Sequence, residues 1–187
     1  MYRFPIKQIV LIPMIGVLMF LADLFIAAPI TATTGISGTG GVFSTLFWVL
    51  FASLGGLIIK KFPAITLMHF VYGFLTILAP ITLLPGILKL VVFLLMGLLT
   101  EVIIMVSQYK KWGYYLGFFV GHLFFFFGTF LLYILLGIPT ISQVGNAKYL
   151  MVLIPLLTFL STQIGVFLSF KIFNKLKNKS IVKQIQC

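Results

Sequence analysis

Acidic side chains are almost missing from this chain: Asp23 and Glu101 are the only two among 187 residues. Two carboxyl groups and two histidines supply too little acid–base chemistry for most hydrolytic or phosphoryl-transfer reactions. Cysteine occurs once, at Cys187, which excludes an internal disulfide and a cysteine-based metal site. Charge of either sign is scarce, at 8% of residues, where a water-facing domain carries about 25%. No Gly-x-Ser-x-Gly, His-Glu-x-x-His or Walker A motif is present. The chain is therefore expected not to be an enzyme and to carry no cofactor or metal. Any energised activity has to borrow its ATPase.

What the sequence does have is apolar surface. Hydrophobic residues make up 61% of it, more than a chain of 187 residues can hide in a core of its own. Lipid has to cover most of the exterior. The fold class read from this is an all-α integral membrane protein. A hydrocarbon core of about 30 Å asks for about 20 helical residues per crossing. Six apolar segments of that kind can be drawn, at 8–28, 41–59, 62–84, 88–108, 112–137 and 148–172. Short turn-forming or basic breaks separate them, such as "KKFP" at 60–63, "LLPGILK" at 83–89 and "QYKKWG" at 108–113. With no long linker, residues 1–187 form one six-helix transmembrane domain with a basic cytoplasmic tail at 173–187. The first run has a rival reading as a signal peptide, but it is long for one and Asp23 interrupts it.

The net charge of +11 raises nucleic acid as a partner, but the cations stand between apolar runs and at the tails, not along one stripe. Nucleic acid is therefore not expected. If the N-terminus is cytoplasmic and six spans alternate, eleven of the thirteen Lys and Arg fall inside, leaving only Lys89 and Lys148 outside. That is the asymmetry expected of a plasma-membrane protein with both termini in the cytoplasm. The tail "KIFNKLKNKSIVKQ" (171–184) meets anionic headgroups of the bilayer or a partner protein. On the outer side, "APITATTGISGTGG" (28–41) reads as a flexible strap, either a plain connector or a lid over a pocket.

Ionisable groups within apolar helices need a reason, because insertion costs about 2.5–3.5 kcal/mol for Asp or Lys at mid-span. Counting from Lys110, Glu101 lies roughly 13 Å above the inner boundary. Counting from Lys7, Asp23 lies roughly 24 Å up, near the outer mouth. At different depths they are not a catalytic carboxyl pair. Asp23 can accept from an amine or amidine, or else it reaches outer headgroups or bonds Thr31 or Thr33. Trp48, Tyr133, Asn146 and Tyr149 lie in the outer halves and supply stacking and hydrogen bonding for a flat ligand. With Asp23 they are the candidate substrate-binding residues. Glu101 reads as a buried carboxyl bonded to a neighbouring helix, bracing packing or meeting a partner. His69 and His122 each stand alone, which suits interhelical hydrogen bonds better than metal binding. Ala52 with Gly56, and Gly117 with Gly121, are small pairs at i, i+4 that permit close helix packing or contact with another subunit.

The segment "GLLTEVIIMVSQYKKWGYYLGFFVG" (97–121) and the entry "KKFPAITLMHFVYGFL" (60–75) carry a family resemblance. Over about residues 41–125 the chain resembles the substrate-binding S components of energy-coupling-factor vitamin transporters. Within these it is most similar to the hydroxymethylpyrimidine/thiamine class and to related S-like families. The resemblance implies capture of a small vitamin or vitamin precursor, association with a transmembrane coupling subunit and two cytoplasmic ATPases, and toppling of the subunit in the membrane. It also implies that small residues of the first helix face the coupling subunit. There "GVLMFLADLF" (16–25) offers Gly16, followed at i+4 by Phe20. The alternative readings are a non-catalytic membrane scaffold or assembly protein, and a small standalone transporter.

Overall fold

The computed structural model describes residues 4–34, 39–78, 86–136 and 148–186. All regular structure among the described residues is helical. Helix α1 (Ile6–Ala22) passes through a π-helical turn (Asp23–Ala27) into α2 (Ala28–Thr34), and α3 covers Thr39–Ile59. Next come α4 (Ala64–Ile77), α5 (Gly86–Val106), α6 (Lys111–Leu135), α7 (Lys148–Leu176) and α8 (Ser180–Gln186). Among the described residues, five helical stretches are long and apolar enough to cross a membrane: Ile6–Thr34, Gly40–Ile59, Gly86–Val106, Lys111–Leu132 and Leu153–Leu176. The segment expected at 62–84 is a 14-residue helix over its described part, α4, about 21 Å long and so short of a full hydrocarbon core.

Most of the strap expected at 28–41 is helical, and its residues 35–38 lie outside the described residues. Residues Ala28–Thr34 continue the first helix, and α3 already begins at Thr39. Local hydrogen bonding explains the difference. The Thr33 hydroxyl donates to the carbonyls of Pro29 (3.0 Å) and Ile30 (3.1 Å), and the Thr34 hydroxyl donates to Ile30 (2.8 Å). A hydroxyl that donates to a carbonyl of its own helix is satisfied there, so Thr is tolerated in a helix where composition alone suggests a loop. At the other end of the chain, the tail is also more ordered than a plain cationic extension. It finishes in α8, whose Val182 is buried in the core.

The main pairings are α3 with α7, α4 with α5, α5 with α6, and α1 with both α3 and α4. Tyr72, Tyr114, Phe93, Phe118, Met68 and Met96 lie among the fully buried side chains at their centre. Large apolar side chains such as Phe25 (70% exposed) and Val106 (73%) cover the outside. That is a core and exterior suited to lipid, with close packing at the contacts supplied by small residues.

All six candidate packing residues sit inside. Ala52 is fully buried, and a Cβ on Gly16 would press on Val71 and the Met68 carbonyl. Gly56 faces Ile65 and Tyr114, while Gly117 and Gly121 face Thr100. At Gly117 an added Cβ would stand 2.7 Å from the Thr100 carbonyl oxygen, which is backbone and cannot swing away. Gly117→Ala is therefore expected to push α6 off α5 and destabilise by about 1–3 kcal/mol. Gly128→Ala meets nothing closer than 4.0 Å and is expected to be neutral or stabilising. Thermal unfolding of the two variants in one detergent checks this pair.

One end of the bundle gathers the cations. Lys7 donates to the Gln184 side chain at 3.1 Å, and the Gln8 amide donates to the Ile185 carbonyl at 2.7 Å. Lys60 lies 5.7 Å over the Phe173 ring, and Lys111 lies 5.9 Å from Tyr115 and 5.8 Å from Phe170. The start of α1, the end of α3, the start of α6 and the end of α7 therefore meet at one end.

Candidate ligand-capturing site

The site begins where the first helix changes pitch. Pro29 has no N–H, so an α-helical bond from it to the residue four back is impossible. The preceding turn widens to π geometry, and the Ala28 N–H reaches the Asp23 carbonyl. Asp23 is the first residue of that turn, on the side facing inward; it is 5% exposed, so it does not reach headgroups. The helical stretch runs on eleven residues past Asp23, to Thr34. The partners of Asp23 are the Tyr72 hydroxyl of α4, which donates to the carboxyl, and Ser44 of α3. Thr33 bonds its own helix instead.

Helix α3 brings its share in one row. Gly40, Ser44, Trp48, Ala52 and Gly56 recur every fourth residue, which places them along one ridge. Gly40 has no side chain because a Cβ there would overlap the Ala27 carbonyl of the π turn. That close approach sets Ser44 beside Asp23 and Trp48 one turn further in. Trp48 is buried and stacks on Tyr72 (ring centroids 5.8 Å apart, planes at 21°) and on His122 of α6 (4.9 Å, 26°). His69 meets it edge-on at 5.6 Å. Beyond Tyr72 the array continues through Phe93 of α5 (4.6 Å, 74°) to Phe125 of α6 (5.1 Å, 20°). Of the run at 124–127, Phe125 thus faces inward while Phe127 faces outward at 63% exposure.

The two histidines are not solitary: α4 and α6 bring both against Trp48. His69 Nδ1 lies 2.9 Å from the Ile65 carbonyl, and His122 Nδ1 lies 2.8 Å from the Phe118 carbonyl. A carbonyl only accepts, so each Nδ1 carries the hydrogen, and each neutral ring presents Nε2 as an acceptor. Both Nε2 atoms are buried without a partner among the described residues, as is the hydroxyl oxygen of Thr100. Unsatisfied buried polar atoms are uncommon enough to need an explanation. Among the described residues no cluster of three or more His, Cys, Asp or Glu is present to hold a metal ion. The arrangement packs aromatic rings and hydrogen-bond acceptors together inside the bundle.

Of the five candidate binding residues, Asp23 and Trp48 come together through Tyr72. Asn146 and the side chains of Tyr133 and Tyr149 lie outside the described residues. Tyr72, Ser44 and Phe93 are members of the array that the sequence reading passes over.

Glu101 belongs to a different station. Its carboxyl accepts from the N–H groups of Ile65 (3.1 Å) and Thr66 (2.8 Å) and from the Thr66 hydroxyl (2.6 Å). It thereby caps the first turn of α4, whose own N-cap residue, Pro63, offers no side-chain bond. Lys89, on the same helix α5, is buried and donates to the Thr76 carbonyl at 3.0 Å near the other end of α4. A carboxyl at the N-terminus and an ammonium at the C-terminus both complement the helix dipole. Lys89 is thus committed to a buried contact instead of standing free at the outer surface. Together the two residues hold α4, and with it His69 and Tyr72, in register.

No family model, curated protein or solved structure matches the chain.

Proposed function

We propose that this chain is the substrate-capturing membrane subunit of an energy-coupling-factor importer for a small vitamin or vitamin precursor, with thiamine-related molecules the first to test. The observation that carries the reading is the buried array of Asp23, Tyr72, Trp48, His69 and His122. It spends polar and aromatic groups inside an apolar bundle with acceptor atoms left unpaired. Polar groups at membrane depth are costly, and retaining them marks a functional site. In this reading the solute is flat, stacks among the rings and donates to the open acceptors.

The lysine-rich end is cytoplasmic, as are both termini, and the array opens toward the outside of the plasma membrane. Short α4 then serves as a sixth crossing, paired along its length with α5. A transmembrane coupling subunit and two cytoplasmic ATPases supply the energy. The resemblance at 97–121 supports this assignment; Gly16 itself packs against Val71 and Met68 of α4, so it is a packing residue and is not presented to a coupling subunit.

The test is to purify the full-length protein from its own membranes and identify what it carries. A small vitamin-like molecule is expected in mass spectra of the denatured protein, together with co-purifying ATPases. Asp23→Asn is expected to reduce the bound amount at least tenfold. Protein that carries no such molecule and binds no vitamin argues against capture. A stable complex without an ATPase or coupling subunit favours a scaffold.

A further inference from the structure

The cationic end has no counter-charge of its own. The only two acids of the sequence, Asp23 and Glu101, are buried in the contacts described above. Lys7, Lys60, Lys110, Lys111 and the lysines of the tail are therefore not neutralised by any acidic side chain of the chain. Among the tail lysines, Lys171, Lys175, Lys177, Lys179 and Lys183 are all exposed. They are also held in place. Val182 is buried in the core, and α8 is tied to the start of α1 through Gln8 and Lys7. The lysines on and beside α8 are thus presented from a docked helix instead of a loose tail.

Large apolar side chains stand directly beside these cations. Ile6 (80% exposed) adjoins Lys7, and Val106 (73%) and Trp112 (56%) flank Lys110 and Lys111. Cations alternating with exposed aliphatic and indole groups match one kind of surface, where phosphate headgroups meet acyl chains. An acidic protein would pair the lysines but leave those apolar groups to be covered separately.

We infer that this end of the bundle, with α8 as its seat, is a binding surface for anionic phospholipids, whose headgroup phosphates supply the counter-charge that the chain lacks. The inference rests on neither the captured solute nor an ATPase partner. Each lysine engaged at an anionic surface contributes about a fivefold preference, and salt weakens it.

The full-length protein in mixed phosphatidylglycerol/phosphatidylcholine nanodiscs provides the test, with retained lipid read by native mass spectrometry. Phosphatidylglycerol is expected to be enriched severalfold over its share in the disc, and less so at high salt. A variant with Lys171, Lys175, Lys177, Lys179 and Lys183 all changed to Gln is expected to return to the bulk ratio. The same five changed to Arg is expected to retain the enrichment. Because the five side chains are exposed, both variants keep the fold, which a thermal melt verifies. Equal retention of the two lipids by the native protein overturns the inference. So does enrichment that the Gln variant keeps, or an acidic protein that co-purifies through these lysines while no lipid preference appears.

Discussion

Replacing Glu101 by alanine is expected to lower the thermal midpoint of the detergent-purified protein by about 10 °C or more. The carboxyl is the acceptor for two backbone N–H groups and one hydroxyl at the start of α4. No side chain next to that helix start takes over, since the N-cap residue is a proline without a side-chain bond. Buried donors stripped of their acceptor cost about 1–3 kcal/mol each, and water is not at hand to replace it. Loss of three such bonds amounts to several kcal/mol, at about 2–4 °C per kcal/mol for a protein of this size. Glu101→Gln keeps one oxygen and is expected to fall between the two. An alanine variant that melts with the native protein would show that α4 is held by packing alone.

Trp48→Ala is the second large effect. Truncating a buried aromatic costs about 3–5 kcal/mol through lost contacts and the cavity left behind. Here the loss also removes the ring shared by Tyr72, His69 and His122. The variant is expected to melt well below the native protein and to carry no bound molecule. Trp48→Phe retains a flat ring and is expected to keep most of the stability while binding its ligand more weakly. Thermal midpoint and bound small-molecule content, measured on the same preparations, separate the structural from the binding role. Native stability and native content in the alanine variant would remove Trp48 from the site.

The helices were legible because apolar length is a local property. Each of the six runs drawn from composition contains a helix, with the largest differences, over the described residues, at the ends drawn at 28 and 84. The residues around Thr33 show how composition misleads. A Thr- and Gly-rich stretch reads as loop, yet its hydroxyls are satisfied within a helix by carbonyls four residues back. The hold on the start of α4 was not legible either, since its first turn is secured by an acid 35 residues away in the sequence.

The site was legible only in part. Asp23 stands out because carboxyl groups are so rare here, but its partner Tyr72 looks like any buried aromatic in an apolar helix. A signal was available in the counting. Trp48 lies twelve residues from Lys60, Tyr72 eleven from Lys61 and His122 eleven from Lys111, so all three stand at about the same depth above the lysine end. Depth does not give azimuth. Which faces turn toward one another depends on the crossings at Gly16, Gly97 and Gly121, where side chains are absent so that α1, α5 and α6 can approach their neighbours.

The sidedness of the bundle is tested most directly with a thiol reagent that cannot cross membranes. Cys187 is the single native cysteine and Thr33 is exposed at the far end of α2, so two forms suffice: the native chain and Thr33→Cys in a Cys187→Ser background. In intact cells the account gives labelling at position 33 and none at Cys187 until the cells are opened. Labelling of Cys187 from outside, or protection of position 33 together with it, would contradict a lysine-rich end in the cytoplasm and a capturing array that faces outward.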